Sequence, residues 1–339
     1  MNIDRFQSLA VRYRQLRFAV VGDFCLDRYL EIDPRLQEFS LETGLPVHNV
    51  VNVRAEPGGA GTILNNLCAL GATVYPIGFY GVDGEGFELR RALARRVGVQ
   101  LDFLIETASR RTFTYCKPLV VEPGQPPREL NRLDSKNWSA TPFELRKKLA
   151  DAVLHVGQSV DGLVVLEQTD MADTGVVTPE VLRAVAELQR ARPALPIIAD
   201  SRRGLRGYPP VIFKMNRREF LALIGAPENT DLTDCLPMAA AFARETGRPV
   251  FVTLAEQGML GASPEGSFHH QPALPVRGPI DIVGAGDAVT ANLLCALAAG
   301  ATLAEAMEIA AAAASVVIHK LGVTGTATPQ EIQPLLEVA

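Results

Sequence analysis

Asp281-Ile-Val-Gly-Ala-Gly-Asp-Ala-Val-Thr-Ala-Asn-Leu-Leu294 places two glycines and a carboxylate where an extended apolar segment turns into a helix. Gly284 and Gly286 lack a Cβ, so successive N–H groups can point into one concavity. The Ala/Leu-rich run after them supplies the positive end of a helix dipole. Phosphate is the natural guest of such a turn. Asp287 then falls in the first helical turn, beside a phosphate it cannot itself bind, where a side chain can accept a proton from an attacking hydroxyl. An Asp at that place is also a common dipole partner, so the rest of the chain has to decide between the two readings.

The segments around this stretch alternate between strand and helix. Upstream lie strands at 162–166, 196–200 and 250–254 and helices at 142–157, 179–192 and 232–246; helices at 284–300 and 302–317 close the pattern. Nearer the start, Phe18-Ala-Val-Val-Gly-Asp23 reads as a buried first strand, and further strands are expected at 74–80 and 101–105. The alternation predicts an α/β fold with a mostly parallel central sheet. Ligands of such sheets bind at the carboxyl ends of strands, so Asp23 and Asp27 are candidates for holding ligand hydroxyls, or else simple turn residues.

Pro57-Gly-Gly-Ala-Gly61 opens a second glycine-rich helix, expected over 62–70. It lacks the Lys-Ser/Thr of a P-loop and the spacing of a dinucleotide fingerprint. Close approach of backbone to a small ligand is the better reading, with Thr62, Asn65 and Asn66 offering polar contacts. Asn216 and Glu219, three apart, would share a face of a helix and could reach a hydrated Mg²⁺; a capping box reads equally well. Two excursions, at about 29–55 and 110–134, break the alternation with short β-prone pieces and prolines, and could pair as one small β-sheet lid on a single domain spanning 1–339.

The 339 residues, 47% of them hydrophobic with a net charge of -5, describe an ordinary globular chain and argue against a nucleic-acid partner. Five scattered cysteines fit reduced thiols. Neither a basic, apolar leader nor a membrane-length apolar run is present, so a cytoplasmic protein with no membrane partner is expected.

Gly58-Gly59, Asn216-Arg-Arg-Glu219 and Asp281-Ile-Val-Gly-Ala-Gly-Asp287, in that order, resemble the motifs of the ribokinase-like, or PfkB, family of sugar and nucleoside kinases. The resemblance covers nearly the whole chain and implies a three-layer domain that uses ATP and Mg²⁺, often with K⁺ at a monovalent-cation site. It makes Asp287 the base and the amides of Gly284, Ala285 and Gly286 the anion hole. Asn216 and Glu219 would organise Mg²⁺ and phosphate, with Asp281 near the cation site. Thr253, Glu256, Gly258, Gly322 and Gly325 would wall the ATP pocket, and Asp27, Gly58, Gly59 and Thr62 would contact the sugar.

Within the family, Val21-Gly-Asp-Phe-Cys-Leu-Asp-Arg-Tyr29, Arg132-Leu-Asp134 and Glu256-Gln-Gly-Met259 are similar to the heptose-phosphate kinases. Two departures stand against that likeness. Position 62 is Thr in place of a sugar-binding Asn, and Glu167 to Asp173 is acidic where a phosphorylated sugar wants positive charge, which Arg202, Arg203 or Lys214 would have to supply. The expectation is an ATP-dependent sugar kinase, with a heptose phosphate or related sugar as acceptor and a homodimer formed through the lid. A nucleoside or neutral-sugar kinase of the same fold, or a non-catalytic sugar or nucleotide sensor, are the alternatives.

Overall fold

The computed structural model describes residues 1–337. Across the main sheet the strands run Phe268–Gln271, Met259–Ala262, Val250–Thr253, Ile212–Asn216, Ile197–Ser201, Gly162–Glu167, Arg17–Gly22, Thr73–Gly81 and Leu104–Thr107. The seven from Val250–Thr253 onward pair in parallel, and the first two form an antiparallel edge. A parallel sheet covered on both faces needs apolar residues on both sides of each strand. Phe18 and Val20 accordingly pack into one core, with helices Ile3–Tyr13, Ala60–Ala69, Ala285–Ala298 and Leu303–Ile318. Ala19 and Val21 pack into the other, with helices Phe143–Gly157, Pro179–Ala191 and Leu232–Thr246. Helix against sheet against helix gives three layers.

A second sheet has the order Leu133–Ser135, Thr114–Val120, Phe24–Ile32, Val50–Gly59, with Arg128–Glu129 added beside Thr114–Val120. Both irregular excursions therefore meet in one sheet, although its strands start earlier and end later than the composition indicated. Phe24–Ile32 follows the first main strand with only Asp23 between them, and Val50–Gly59 runs directly into helix Ala60–Ala69.

Four chain crossings join the two sheets, and they touch in pairs. In one pair Phe24 lies opposite Gly59 and the Ala60 N–H donates to Asp23 O at 3.0 Å. In the other, the Arg111 N–H donates to Asn137 Oδ1 at 3.1 Å and Asn137 Nδ2 donates to Arg111 O at 2.9 Å. All five cysteines are free thiols. No helix among the described residues is long and apolar enough to cross a membrane.

The segment leading into helix Ala285–Ala298 belongs to neither sheet. Ile282 and Val283 are exposed, so its apolar residues are not strand residues turned to a core. A last helix, Pro329–Leu336, carries a Thr328/Glu331 capping box.

Candidate active site

Gly284 caps helix Ala285–Ala298 in the left-handed region, at φ 82°. An added Cβ there would lie 2.8 Å from Thr324 Cγ2 and 3.5 Å from Thr62 Cγ2, so both the backbone angle and the space call for glycine. No side chain caps this helix start. The N–H groups of Gly284, Gly286 and Asp287 have no acceptor among the described residues, whereas Ala285 donates to Ile282 O at 3.2 Å. Ala285 is thus not an open donor, because the tight turn that exposes its neighbours uses its own N–H. Asp287 N–H completes the concavity instead, at the positive end of the helix.

Asp287 stands partly exposed in that first turn. Burial pushes its carboxyl up, to about 7; the ammonium of Lys214 pulls the other way, and Asp200 adds to the rise. Lys214 is buried, and its Nζ lies 2.6 Å from Asp200 Oδ2 and 3.2 Å from where Gly286 would carry a Cβ. Burial alone would pull Lys214 down, but Asp200, then Asp287 and Glu219, hold it above the usual lysine value. Thr290 Oγ1 donates to Gly286 O at 3.0 Å and reaches Asp200 Oδ2 at 3.4 Å. One ammonium thus sits among three carboxylates beside the open amides.

Asn216 and Glu219 form the capping box of helix Arg217–Ile224, with Asn216 N–H donating to Glu219 Oε2 and Glu219 N–H to Asn216 Oδ1, both at 2.9 Å. Each keeps a further polar atom. Burial raises Glu219, as does the charge of Asp200, so the carboxylate faces the lysine cluster. Among the described residues no three His, Cys, Asp or Glu side chains converge as a direct ligand set. The donor set therefore fits a hydrated cation touched through water and not a stripped one. Asp281 is occupied elsewhere: its Oδ1 accepts from Val283 N–H at 3.0 Å and its own N–H donates to Ile318 O at 2.8 Å.

Gly58-Gly59 lies beside Asp27, across the small sheet from Phe24 and Cys25. An added Cβ on Gly58 would lie 2.4 Å from Asp27 Oδ2, so this backbone is bare where Asp27 needs room. Lys117 Nζ lies 3.5 Å from Asp27 Oδ1 and 3.4 Å from Tyr29 OH. Burial raises the Asp27 carboxyl against the pull of Lys117.

Asp23 does not hold a ligand hydroxyl. It is fully buried, and its carboxylate accepts from the N–H groups of Val176 (2.7 Å), Gln168 (2.8 Å) and Thr169 (3.2 Å), locking the strand exit to the 167–176 loop. Asn66 is likewise fully buried. Its Nδ2 donates to Thr62 O at 3.0 Å and lies 3.5 Å from Gly325 O, so it ties two elements together beneath the site instead of offering an amide to the cleft. Thr62 turns its methyl to Gly284.

Of the residues expected in a nucleotide wall, Thr253 ends its strand and Glu256 lies in the short 3₁₀ turn Ala255–Gln257. Gly258, at φ 93°, would bring a Cβ to 2.0 Å from Gln271 O, a need of the hairpin crossing itself. Gly322, at φ 71°, is exposed, whereas Gly325 is buried against Lys320. Loop 276–283 is tied to the end of helix Leu303–Ile318 by Arg277 N–H donating to His319 Nε2 at 2.9 Å, and loops 276–283 and 321–323 expose Val276, Ile280, Ile282, Val283, Leu321 and Val323.

A profile of the pfkB family carbohydrate kinases matches residues 19–331. The chain belongs to that family. This carbohydrate kinase domain is 33% identical over 313 residues to the bifunctional protein HldE of Gluconacetobacter diazotrophicus, covering 92% of this chain and 62% of that protein. It is 34% identical to HldE of Azorhizobium caulinodans, over 94% of this chain and 64% of the relative. The chain therefore spans somewhat less than two thirds of the curated relatives it matches. Among solved structures it resembles phosphofructokinase-2 of Escherichia coli in complex with substrates and products, with a TM-score of 0.72 and 20% identity over 95% of this chain and 99% of that one. It also resembles Arabidopsis thaliana ribokinase complexed with ribose and ATP, with a TM-score of 0.67 and 20% identity over 96% and 99%. The fold of this pfkB member is ribokinase-like.

Three residues around the pfkB motifs were not singled out by the motif reading for the places they take: Lys214 and Asp200 behind the anion turn, and Lys117 beside Asp27. A signal existed for the first two. Each is a charge inside or ending an otherwise apolar core strand, where an ion has to be paired. Nothing in the sequence linked Lys117 to Asp27.

Proposed function

We propose that this domain transfers the γ-phosphoryl of ATP to a hydroxyl of a heptose phosphate or a related sugar. The observation that carries the reading is a carboxylate in the first helical turn beside three open amides at a helix start. Asp287 takes the proton of the attacking hydroxyl as the phosphoryl arrives, and a base near 7 is balanced between holding and releasing it. The N–H groups of Gly284, Gly286 and Asp287 stabilise the charge that grows on the transferring group. Lys214 sets the charge on Asp287 and is itself held by Asp200. Asp27, with Lys117 beside it, accepts hydrogen bonds from the sugar hydroxyls above the bare Gly58-Gly59 backbone.

Mg²⁺ would be held through water by Glu219 and Asn216, where it supplies positive charge to the phosphates. Asp281 braces the turn at which a K⁺ would sit. The exposed apolar side chains on loops 276–283 and 321–323 suit a purine ring. Thr253, Glu256 and Gly322 border the same side. The small sheet acts as a lid over the sugar, and its outward Val51 and Val53, exposed on one face of a strand, suit pairing with a second copy. Five free thiols fit work in the cytoplasm.

The test is phosphoryl transfer from ATP measured across sugars, sugar phosphates and nucleosides, with and without K⁺. Transfer to a sugar, abolished in Asp287→Asn, supports the reading. Transfer that survives the substitution, or preference for a nucleoside, refutes it.

A further inference from the structure

The cations around the cleft are nearly all neutralised by a carboxylate. Lys214 has Asp200 at 2.6 Å, Arg203 has Glu167 at 2.7 Å and Arg132 has Asp134 at 2.9 Å. Arg202 is the exception: no carboxylate lies within salt-bridge distance of it among the described residues, and it is exposed.

Its position follows from the sheet. Glu167 pairs with Ser201 at the ends of adjacent parallel strands, and Arg202 N–H donates to Glu167 O at 3.0 Å, so Gln168 and Arg202 leave the sheet side by side. With the Gln168 amide oxygen turned to Arg202, it accepts from the guanidinium at 3.0 and 3.2 Å. Gln168 Cγ in turn lies 3.4 Å from where Gly59 would carry a Cβ, and Gly58 abuts Asp27. The guanidinium thus stands at the rim of the sugar floor. Its charge also pulls down the carboxyls of Asp27 and Asp287.

The acidic stretch that argued against an anionic substrate has cationic partners of its own. Asp170 is bound to Lys136 at 2.8 Å, and Lys136 first, then Arg202, hold its carboxyl below the usual range. Glu167 is buried, accepting from Ser201 Oγ at 2.6 Å and Tyr208 OH at 3.1 Å as well as from Arg203. Glu167 and Asp173 line a cavity of about 460 Å³ with Thr178, Arg203 and Arg206, a lining that does not include Gln168 or Arg202. Glu167 and Asp170 are thus each bound to a cation other than Arg202, which leaves the Arg202 guanidinium without a carboxylate in contact among the described residues.

We propose that Arg202 is the specificity-determining residue for a phosphate monoester carried by the sugar away from the reacting hydroxyl. This rests on the kinase reading above. The planar fork offers two parallel N–H donors to a phosphate, and Gln168 orients it in advance.

The experiment compares kcat/KM for a heptose 7-phosphate and for the same unphosphorylated heptose in the full chain, in Arg202→Ala and in Arg202→Lys. Calorimetric binding of the phosphorylated sugar without nucleotide is measured in parallel. The preference for the phosphorylated sugar should fall by roughly 10- to 100-fold in Arg202→Ala, mainly through KM, and partly return in Arg202→Lys. Binding should weaken by a similar factor. An unchanged preference, equal losses on both sugars, unaltered binding or a native preference for the neutral sugar would each overturn the proposal. Failure of any sugar to accept phosphoryl would instead refute the kinase reading, while the binding arm still decides the role of Arg202.

Discussion

Asp287→Asn should make this protein more stable while removing its activity. Burial raises the carboxyl from 3.8 to about 7, so the folded state disfavours its ionised form. Each pH unit is worth about 1.4 kcal/mol, so a shift of that size, which already includes the attraction of Lys214, corresponds to at most about 4 kcal/mol; solvent screening of the partly exposed carboxyl reduces the expected gain to roughly 1–3 kcal/mol. The sign follows from linkage. A carboxyl whose folded value is raised imposes no cost below about 3.8, a growing cost as pH rises toward 7, and a constant cost above it. At pH 8 the full gain should be seen; at pH 5, part-way through that window, roughly 0.4 of it should remain. With unfolding entropy scaled to this chain length, the gain at pH 8 is an increase in Tm of about 1–4 °C. Thermal unfolding at the two pH values, with turnover measured on the same samples, is the assay. A variant less stable than the native chain, or one with the same gain at both pH values, would refute the argument that burial holds this base near neutrality.

The pH profile of kcat/KM should show an acidic limb near 7, falling tenfold per unit below it as Asp287 takes up its proton; a flat profile down to about pH 5 would exclude this carboxyl as the base. Lys214→Met leaves Asp200 and Asp287 without their shared cation, so it should cost about 3 kcal/mol or more in urea unfolding and move the acidic limb upward. Gly58→Ala should leave the fold intact but displace Asp27, raising KM for the sugar roughly tenfold or more in steady-state kinetics. Gly59→Ala combines φ 57° with a contact of 2.5 Å to Asp23 O, so it should lower stability by about 1–3 kcal/mol in the same unfolding assay.

What could be read from the sequence was local. Phe18 to Val21 reads as a strand buried on both faces because every position is apolar, and Gly284 marks a left-handed turn because the helix after it begins abruptly. The site residues that escaped reading depend on partners far along the chain. Asp23 and Asp27 both follow the first strand and look alike in sequence. Only the 167–176 loop, folding back with three N–H groups, makes the first an anchor and leaves the second facing Lys117. Ala285 differs from its neighbours by a single turn bond to Ile282. For Asn216 and Glu219 the cap and the cluster-facing carboxylate coexist, because a capping box uses one oxygen of each side chain and leaves Glu219 a second. The apolar run at 280–283 misled because exposed hydrophobic residues on a loop and buried ones in a strand share the same letters.

The paired crossings between the two sheets have a mechanical consequence. One pair meets at Asp23 and Gly59, the other at Arg111 and Asn137, and two fixed points define a line. Sliding or shearing of the small sheet against the large one would break bonds at both points, whereas rotation about that line strains neither. A swing about that line is one angle, opposed by the ion pairs Arg28–Glu88 at 2.9 Å and Arg96–Glu56 at 2.8 Å, so a single distance between two labels, one on each sheet, is enough to follow it. The first of the two pivots abuts Gln168 and so borders the sugar floor, which puts the bound sugar near the axle and the far edge of the sheet, at Val51 and Val53, where a small turn becomes a long arc.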